Sequence, residues 1–215
     1  MKVIVTGSSN GIGKAIAQKF LDNGHVVVGL DKQPQSIVHE NYLHLIVDIS
    51  SDMLPDIDNV DILINNAGVQ NSGNDIDVNL KGTIKVTEKY GIKPQIKSIV
   101  FIASASATTG SEFPEYVASK GGVVAYMKNV ALRVAEFGAT SNSISPGGVD
   151  TELNKCVMDN PEKWNKIMDE TPLKKWASAE EIAEWTYFVA VTNKSMTAQD
   201  ILIDNGESSK AVFVW

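Results

Sequence analysis

Several protein classes are excluded by what this chain has little of. Cysteine occurs once in 215 residues, at Cys156, so no disulfide can form within the chain and a reducing, cytoplasmic setting is expected. Cys156 itself reads as a passive, half-buried thiol. The three histidines, His25, His39 and His44, lack metal-ligand spacing and have no cysteine beside them. They read as ordinary surface or loop side chains, and no metal site is assigned. Positive charge is scarce: 19 Lys and Arg stand against 26 Asp and Glu, a net charge of −7. The densest cationic pair is Lys174-Lys175, so no basic patch exists to hold a phosphate backbone, and nucleic acid is not an expected partner. No apolar run approaches the roughly 18 residues of a membrane-spanning helix. Met1-Lys2 leads straight into a short apolar run, without the pattern of a cleavable signal. Repeats, low-complexity tracts and linkers are also missing. What remains is a chain that is 43% hydrophobic, long enough for one well-buried core, and expected to be a single domain over 1–215.

Short apolar runs alternate with helix-like stretches along the whole chain. Lys2–Val5 reads as a strand, and a glycine-rich turn then opens a helix over Ile12–Asn23, with Ile12, Ala15, Ile16 and Phe20 at helical spacing. Gly24 ends that helix, and Val26–Leu30 is a second buried strand. Strands are also expected at Leu43–Val47, Val60–Ile64, Ser98–Ala103, Ser141–Ile144 and Asp200–Ile203, and helices at Ile76–Lys89, Glu115–Phe137 and Ala179–Val191. Ser178 followed by Glu181 forms a capping box for the last helix. Such alternation predicts an α/β fold, a doubly wound parallel sheet of the Rossmann type with helices on both faces. Two connections are lean. Pro34 lies between Asp31 and Asp48, and Pro55 between Asp48 and Asp61, so these crossovers are expected to be irregular or very short.

Chemistry is concentrated at a few positions. Thr6-Gly7-Ser8-Ser9-Asn10-Gly11-Ile12-Gly13 joins a strand to a helix, where backbone N–H groups and the helix dipole can receive a pyrophosphate. The following strand ends at Asp31, near the spacing of about 20 residues expected of a ribose-binding acid. A carboxylate there suits NAD: the extra phosphate of NADP, within about 4 Å, would be repelled by roughly 4 kcal/mol at an effective dielectric near 20. Lys32 beside it is the one cation able to screen such a phosphate. Asn65-Asn66-Ala67-Gly68 follows another strand, and reads either as a simple turn or as a ligand-contacting loop at the carboxyl end of a central strand. Tyr116 and Lys120 stand four residues apart on a helix, so they share a face, and the ammonium favours the phenolate and lowers the phenol's pKa from its usual value of about 10. A dinucleotide turn with an activated tyrosine suggests hydride transfer coupled to proton transfer.

Together these motifs resemble the short-chain dehydrogenase/reductase family, whose TGxxxGxG turn, NNAG loop, catalytic serine and YxxxK occur here in order as TGSSNGIG, NNAG, Ser104 and YVASK. The family's helix asparagine matches Asn79, its PG motif and threonine match Pro146-Gly147-Gly148-Val149-Asp150-Thr151, and its late signature appears around Gln199 and Asp204-Asn205-Gly206. The resemblance covers nearly the whole chain. It implies Asn79, Ser104, Tyr116 and Lys120 as catalytic residues. The cofactor residues it implies are Gly7, Ser9, Asn10, Gly11, Ile12, Gly13, Asp31, Asp48, Ile49, Asn66, Ala67, Gly68, Tyr116, Lys120, Pro146, Gly147, Val149 and Thr151. Tyr116 is then the general acid or base, Lys120 its pKa-lowering neighbour, Ser104 a donor to the substrate oxygen, and Asn79 the holder of a water linking Lys120 to solvent. Ser106 is a second candidate for the serine role.

The implied activity is NAD(H)-dependent interconversion of a secondary alcohol and a ketone, on a 3-oxoacyl thioester, sugar, steroid or small alcohol. A nucleotide-sensing protein without turnover and an epimerase or dehydratase are the rivals. The intact Ser104, Tyr116 and Lys120 argue against the first, and the absence of an appended substrate domain argues against the second. The stretch from Gly68 to Asn79 is shorter than the family's usual, which makes this a trimmed member. Residues 150–176, with Met158, Trp164, Met168 and Trp176, are expected to form a substrate lid. Relatives commonly form homodimers or homotetramers through the helices corresponding to Ile76–Lys89 and Glu115–Phe137, and Val123, Val124, Met127 and Val130 give the latter a surplus apolar surface for such contacts.

Overall fold

A computed structural model describes residues 1–111 and 113–209 of the chain; Lys210–Trp215, the end of the expected 1–215 unit, lie outside the described residues. In chain order the elements are β1 (Lys2–Thr6), α1 (Gly11–Asp22), β2 (Val26–Asp31), β3 (Tyr42–Ile46), β4 (Ile62–Asn65), α2 (Thr83–Tyr90), β5 (Ser98–Ile102), α3 (Ser106–Thr109), α4 (Pro114–Val134), β6 (Thr140–Pro146), β7 (Val149–Asp150), α5 (Lys155–Met158), α6 (Pro161–Glu170), β8 (Ala177–Ser178), α7 (Ala179–Tyr187) and β9 (Asp200–Ile203). Seven strands form one sheet in the order β3-β2-β1-β4-β5-β6-β9, and every neighbouring pair is parallel. The expected doubly wound fold is therefore what the chain adopts. Its strand order reverses between β1 and β4, the point where such sheets leave a crevice beyond the strand ends.

Period-two alternation in the strands feeds two cores. Val3 and Val5 of β1 join Ile62 and Ile64 of β4 beneath α1 and α7, where Ile16, Phe20, Ile182 and Val189 are buried. Ile4, between them, faces the other way and joins Leu63, Ile99 and Phe101 under Val86, Met127 and Val130. Burying both faces explains why these strands read as unbroken apolar runs. The lean crossovers contain no helix: residues 32–41 and 47–61 run irregularly and plug the sheet with Ile37, Leu54 and Val60.

Several expectations are corrected. The helix expected over Ile76–Lys89 starts as a wide π-helical stretch, Ile76–Gly82, before α2. Val123, Met127 and Val130 are buried in the core of this chain, so they offer no surplus surface; only Val124 is partly exposed. His25 does lie in the loop between α1 and β2, but it is buried there, at 8% exposure, rather than on the surface. Cys156 is exposed rather than half-buried. The two-residue strands β7 and β8 and the four-residue helices α3 and α5 are too short to leave a periodic signal; α6 was not among the expected helices although Trp164, Ile167 and Met168 stand at helical spacing. The capping box of α7 forms as expected, with Ser178 Oγ accepting from Glu181 N–H and the Glu181 carboxylate accepting from Ser178 N–H. Among the described residues no helix is long and apolar enough to cross a membrane.

Candidate active site

The glycine turn leaves β1 with Gly7 at φ +68° and Gly11 at φ +50°, a backbone that L side chains rarely adopt. A Cβ on Gly13 would lie 2.0 Å from the Gly7 carbonyl oxygen, so only glycine lets α1 start this close to the turn. The residue before α1, Asn10, makes no side-chain capping bond, and the first turn carries no acid. Its N–H groups are thus left for an anion, which fits the diphosphate of a dinucleotide. Gly11 faces Thr151, whose Cγ2 would be 3.4 Å from a Cβ placed there. The turn and the Pro146–Thr151 loop therefore meet, with Pro146 and Val149 buried and Gly147 half-buried in the loop.

Asp31 ends β2 against this turn. Its carboxylate accepts from Ser9 N–H and from Gln33 N–H, each at 2.8 Å, so it fastens the glycine turn. Asn66 does similar internal work, donating from Nδ2 to Thr6 O at 3.0 Å and Gly7 O at 3.1 Å. Thr6 completes the clasp by accepting from Asn66 and Ala67 N–H on its hydroxyl. A cavity of about 430 Å³ opens beyond β2, β3 and β4, lined by Lys32, Asp48, Ser50, Val69, Asn74 and Lys81 among others. In it the Ser50 hydroxyl and N–H hold the Asp48 carboxyl below the usual carboxylate range. The side chain of Ile49 is buried and packs against Gly82, so only its backbone is available to a ligand. Ile12 likewise packs on the core beneath the turn.

Deeper in, the catalytic candidates converge. Ser104 follows β5 and is 7% exposed. Lys120 is buried on α4, where Nζ donates to Ile102 O at 2.9 Å and lies 5.8 Å from the centroid of the Tyr116 ring. Tyr116 is half-buried at the same helix end. A Cβ on Gly68 would meet Asn79 Oδ1 at 3.3 Å and Lys120 Nζ at 3.4 Å, so the bare glycine brings the NNAG loop against both. Asn79 donates from Nδ2 to Val69 O at 2.9 Å and to Ser119 Oγ at 3.0 Å, and accepts from Val69 N–H at 2.8 Å. Its side chain is thereby committed to the shortened loop and to α4.

Ser119 was missed in the sequence, although it sits inside the YVASK motif. It is fully buried and donates to Tyr116 O at 2.7 Å, so a chain runs from Asn79 through Ser119 to the tyrosine's backbone. Its place three residues after Tyr116 was the available signal. Lys32, Ser50, Val69 and Lys81 were not singled out as cavity walls either; they are separated along the chain and meet only through the sheet. A second cavity, of about 620 Å³, lies beside β9, the last strand of the sheet among the described residues, and is lined by Leu173, Trp185, Leu202 and Asn205 among others; none of the expected site residues lines it.

Comparison with known proteins gives the family and the fold. The sequence model of a family described as enoyl-(acyl carrier protein) reductase matches residues 7–208. The 3-oxoacyl-(acyl-carrier-protein) reductase FabG of Chlamydia pneumoniae is 32% identical, with 95% of this chain and 96% of that protein covered. The FabG reductase of Buchnera aphidicola subsp. Acyrthosiphon pisum is 30% identical, with 94% of each covered. The ligand-free aldohexose dehydrogenase of Thermoplasma acidophilum has the same fold at a TM-score of 0.85 and 26% identity, over 100% of this chain and 96% of that one. With a family model matched over residues 7–208, relatives 30–32% identical along nearly their whole length and a parallel Rossmann sheet, this chain belongs to the short-chain dehydrogenase/reductase family, oxidoreductases that use a nicotinamide cofactor.

Proposed function

We propose that the protein is an NAD(H)-dependent oxidoreductase that interconverts a secondary alcohol and a ketone, with Tyr116 as its acid and base. The observation that carries this reading is the placement of the Lys120 ammonium at the end of β5, below the Tyr116 ring and beside Gly68 and Asn79. When bound, the nicotinamide supplies or takes up the hydride. In the reducing direction Tyr116 Oη gives its proton to the substrate oxygen, and in the oxidising direction it takes that proton back. Lys120 stabilises the phenolate left behind. Ser104 Oγ donates to the same substrate oxygen and steadies the charge that develops on it. With the Asn79 side chain committed to Val69 and Ser119, the water that couples Lys120 to solvent is assigned to the Asn79 backbone in the wide helical stretch.

The adenosine half is assigned to the cavity around Asp48, and the nicotinamide end to Pro146–Thr151. Asp31 favours NAD over NADP. Residues 150–176 serve as the substrate lid: α5 and α6 bury no side chain, and the segment leaves and returns through the β7–β8 pairing, Val149 against Ala177. A 3-oxoacyl thioester, sugar, steroid or small alcohol is the substrate class, and the compartment is the cytoplasm. Assembly is as a homodimer or homotetramer. Support for it comes from the region beside β9, the last strand of the sheet among the described residues, where Leu173, Trp185 and Leu202 are 66%, 48% and 39% exposed.

The test is a panel followed by NADH absorbance: acetoacetyl-CoA and cyclohexanone with NADH, and D-glucose, androsterone and 2-propanol with NAD. At least one member should be turned over, and Tyr116→Phe should lower that turnover by about two orders of magnitude or more while leaving NADH affinity nearly unchanged. Tight NADH binding with no turnover of any member would instead favour the nucleotide-sensing reading.

A further inference from the structure

The first residue of α3, Ser106, is buried at 3% exposure directly behind Ser104. Their hydroxyl oxygens are 2.8 Å apart, and Ser106 N–H donates to Ser104 Oγ at 3.2 Å. A hydroxyl has one proton to give and two lone pairs with which to accept. If Ser104 donated to Ser106, that one proton would be spent inside the protein and nothing would be left for a substrate oxygen. In the opposite sense, Ser106 brings two donors, its hydroxyl and its backbone N–H, to the lone-pair side of Ser104. The Ser104 O–H bond is then turned away from Ser106 and polarised, because hydrogen bonds in a chain strengthen one another in a dry interior.

We propose that Ser106 is a positioning residue that locks Ser104 as a donor to the substrate oxygen, a role resting on the assignment of Ser104 given above. In this role Ser106 acts through Ser104 rather than on the substrate itself. Its contribution appears only as charge builds on the substrate oxygen, so it acts on kcat rather than on KM.

The experiment is a double-mutant cycle on the full chain, using the member of the panel that is turned over fastest. Ser104→Ala, Ser106→Ala, the double variant and Ser106→Thr are compared with the unmodified protein. Ser106→Ala is expected to lower kcat about tenfold, the effect of losing one hydrogen bond of ordinary strength, with KM nearly unchanged. Ser106→Thr, which keeps the hydroxyl, should restore most of the loss. In the Ser104→Ala background, Ser106→Ala should cost nothing further. The same loss in both backgrounds would mean that Ser106 only packs, and would overturn the proposal, as would an undiminished kcat in Ser106→Ala. Full activity in Ser104→Ala together with a hundredfold loss in Ser106→Ala would place Ser106 itself on the substrate and overturn both assignments. No turnover of any panel member by the unmodified protein would remove the catalytic reading and this role with it.

Discussion

Asp31, proposed as the ribose-binding acid, also has a structural task that its sequence position does not show. Its spacing from the glycine turn marks it as a ribose acid, yet both carboxylate oxygens also accept backbone N–H groups, from Ser9 and Gln33. Asp31→Ser would therefore free an N–H inside the glycine turn as well as remove the charge, and affinity for NAD and NADP should both fall. Asp31→Asn keeps an acceptor for one of the two N–H groups while deleting the charge. It should weaken NAD binding only modestly and narrow the preference over NADP, which for the unmodified protein is about a thousandfold at most on a repulsion of roughly 4 kcal/mol. Titration of cofactor fluorescence for both nucleotides measures this. Equal affinity of the unmodified protein for the two would mean that Lys32 screens the phosphate and that the NAD assignment is wrong.

The shortened segment between Gly68 and Asn79 shows how a trimmed element holds its shape. Asp75 is 1% exposed, and its carboxylate accepts from Asn71 N–H, Ser72 N–H and the Ser72 hydroxyl. Burial works against its ionisation, but the Ser72 and Asn71 bonds prevail and hold the carboxyl below the usual carboxylate range. This clasp closes the loop just before the wide helical turn in which Asn79 holds Val69. Asp75→Ala should cost about 1–3 kcal/mol, the penalty for leaving buried donors unpaired, read as a lower urea midpoint. Because Ser72 and Asn74 line the same cavity as Asp48, NADH affinity should fall with it. A variant with unchanged stability and unchanged affinity would show that the loop closes without Asp75.

The molecule as a whole has a titrating group at the end of the sheet away from the cleft. His25 lies among Phe20 and Tyr187, with ring centroids at 5.6 and 5.9 Å, and 3.4 Å from the α-amino group of Met1. Burial first, and then the α-amino charge, lower its pKa below the ordinary 6.5. The folded protein thus favours neutral His25, while the unfolded chain takes up a proton at about pH 6.5. The stabilisation is complete above that value and is lost as pH falls from it towards the lower folded-state pKa. Urea midpoints should therefore drop between about pH 7.5 and pH 5, before the carboxylates titrate, and His25→Phe should flatten that slope. An unchanged slope would assign the drop to other groups. Assembly is tested at the same level. Light scattering should give a mass above the 23.3 kDa of one chain, and Leu202→Lys on β9 should lower it. A monomer mass for the unmodified protein at micromolar concentrations would refute assembly.

Local pattern was enough to make the sheet legible. Strands buried on both faces appear as unbroken apolar runs, and β9 at Asp200–Ile203 has the bounds its sequence suggested. The glycine turn, NNAG and YVASK were legible because each needs particular residues at fixed local spacing, for backbone reach or a shared helix face. Contacts between distant segments were not. The burial of His25, the core role of Val123, Met127 and Val130, the link from Asn79 through Ser119 to Tyr116, and the pairing of Ser104 with Ser106 all depend on which side of an element meets which neighbour. Periodicity says that a face is apolar without saying what covers it, and hydrogen-bond partners are chosen only once α4, β5 and the Val69 loop have been packed together. Tertiary packing thus decided which polar side chains serve the scaffold and which are left to serve a substrate.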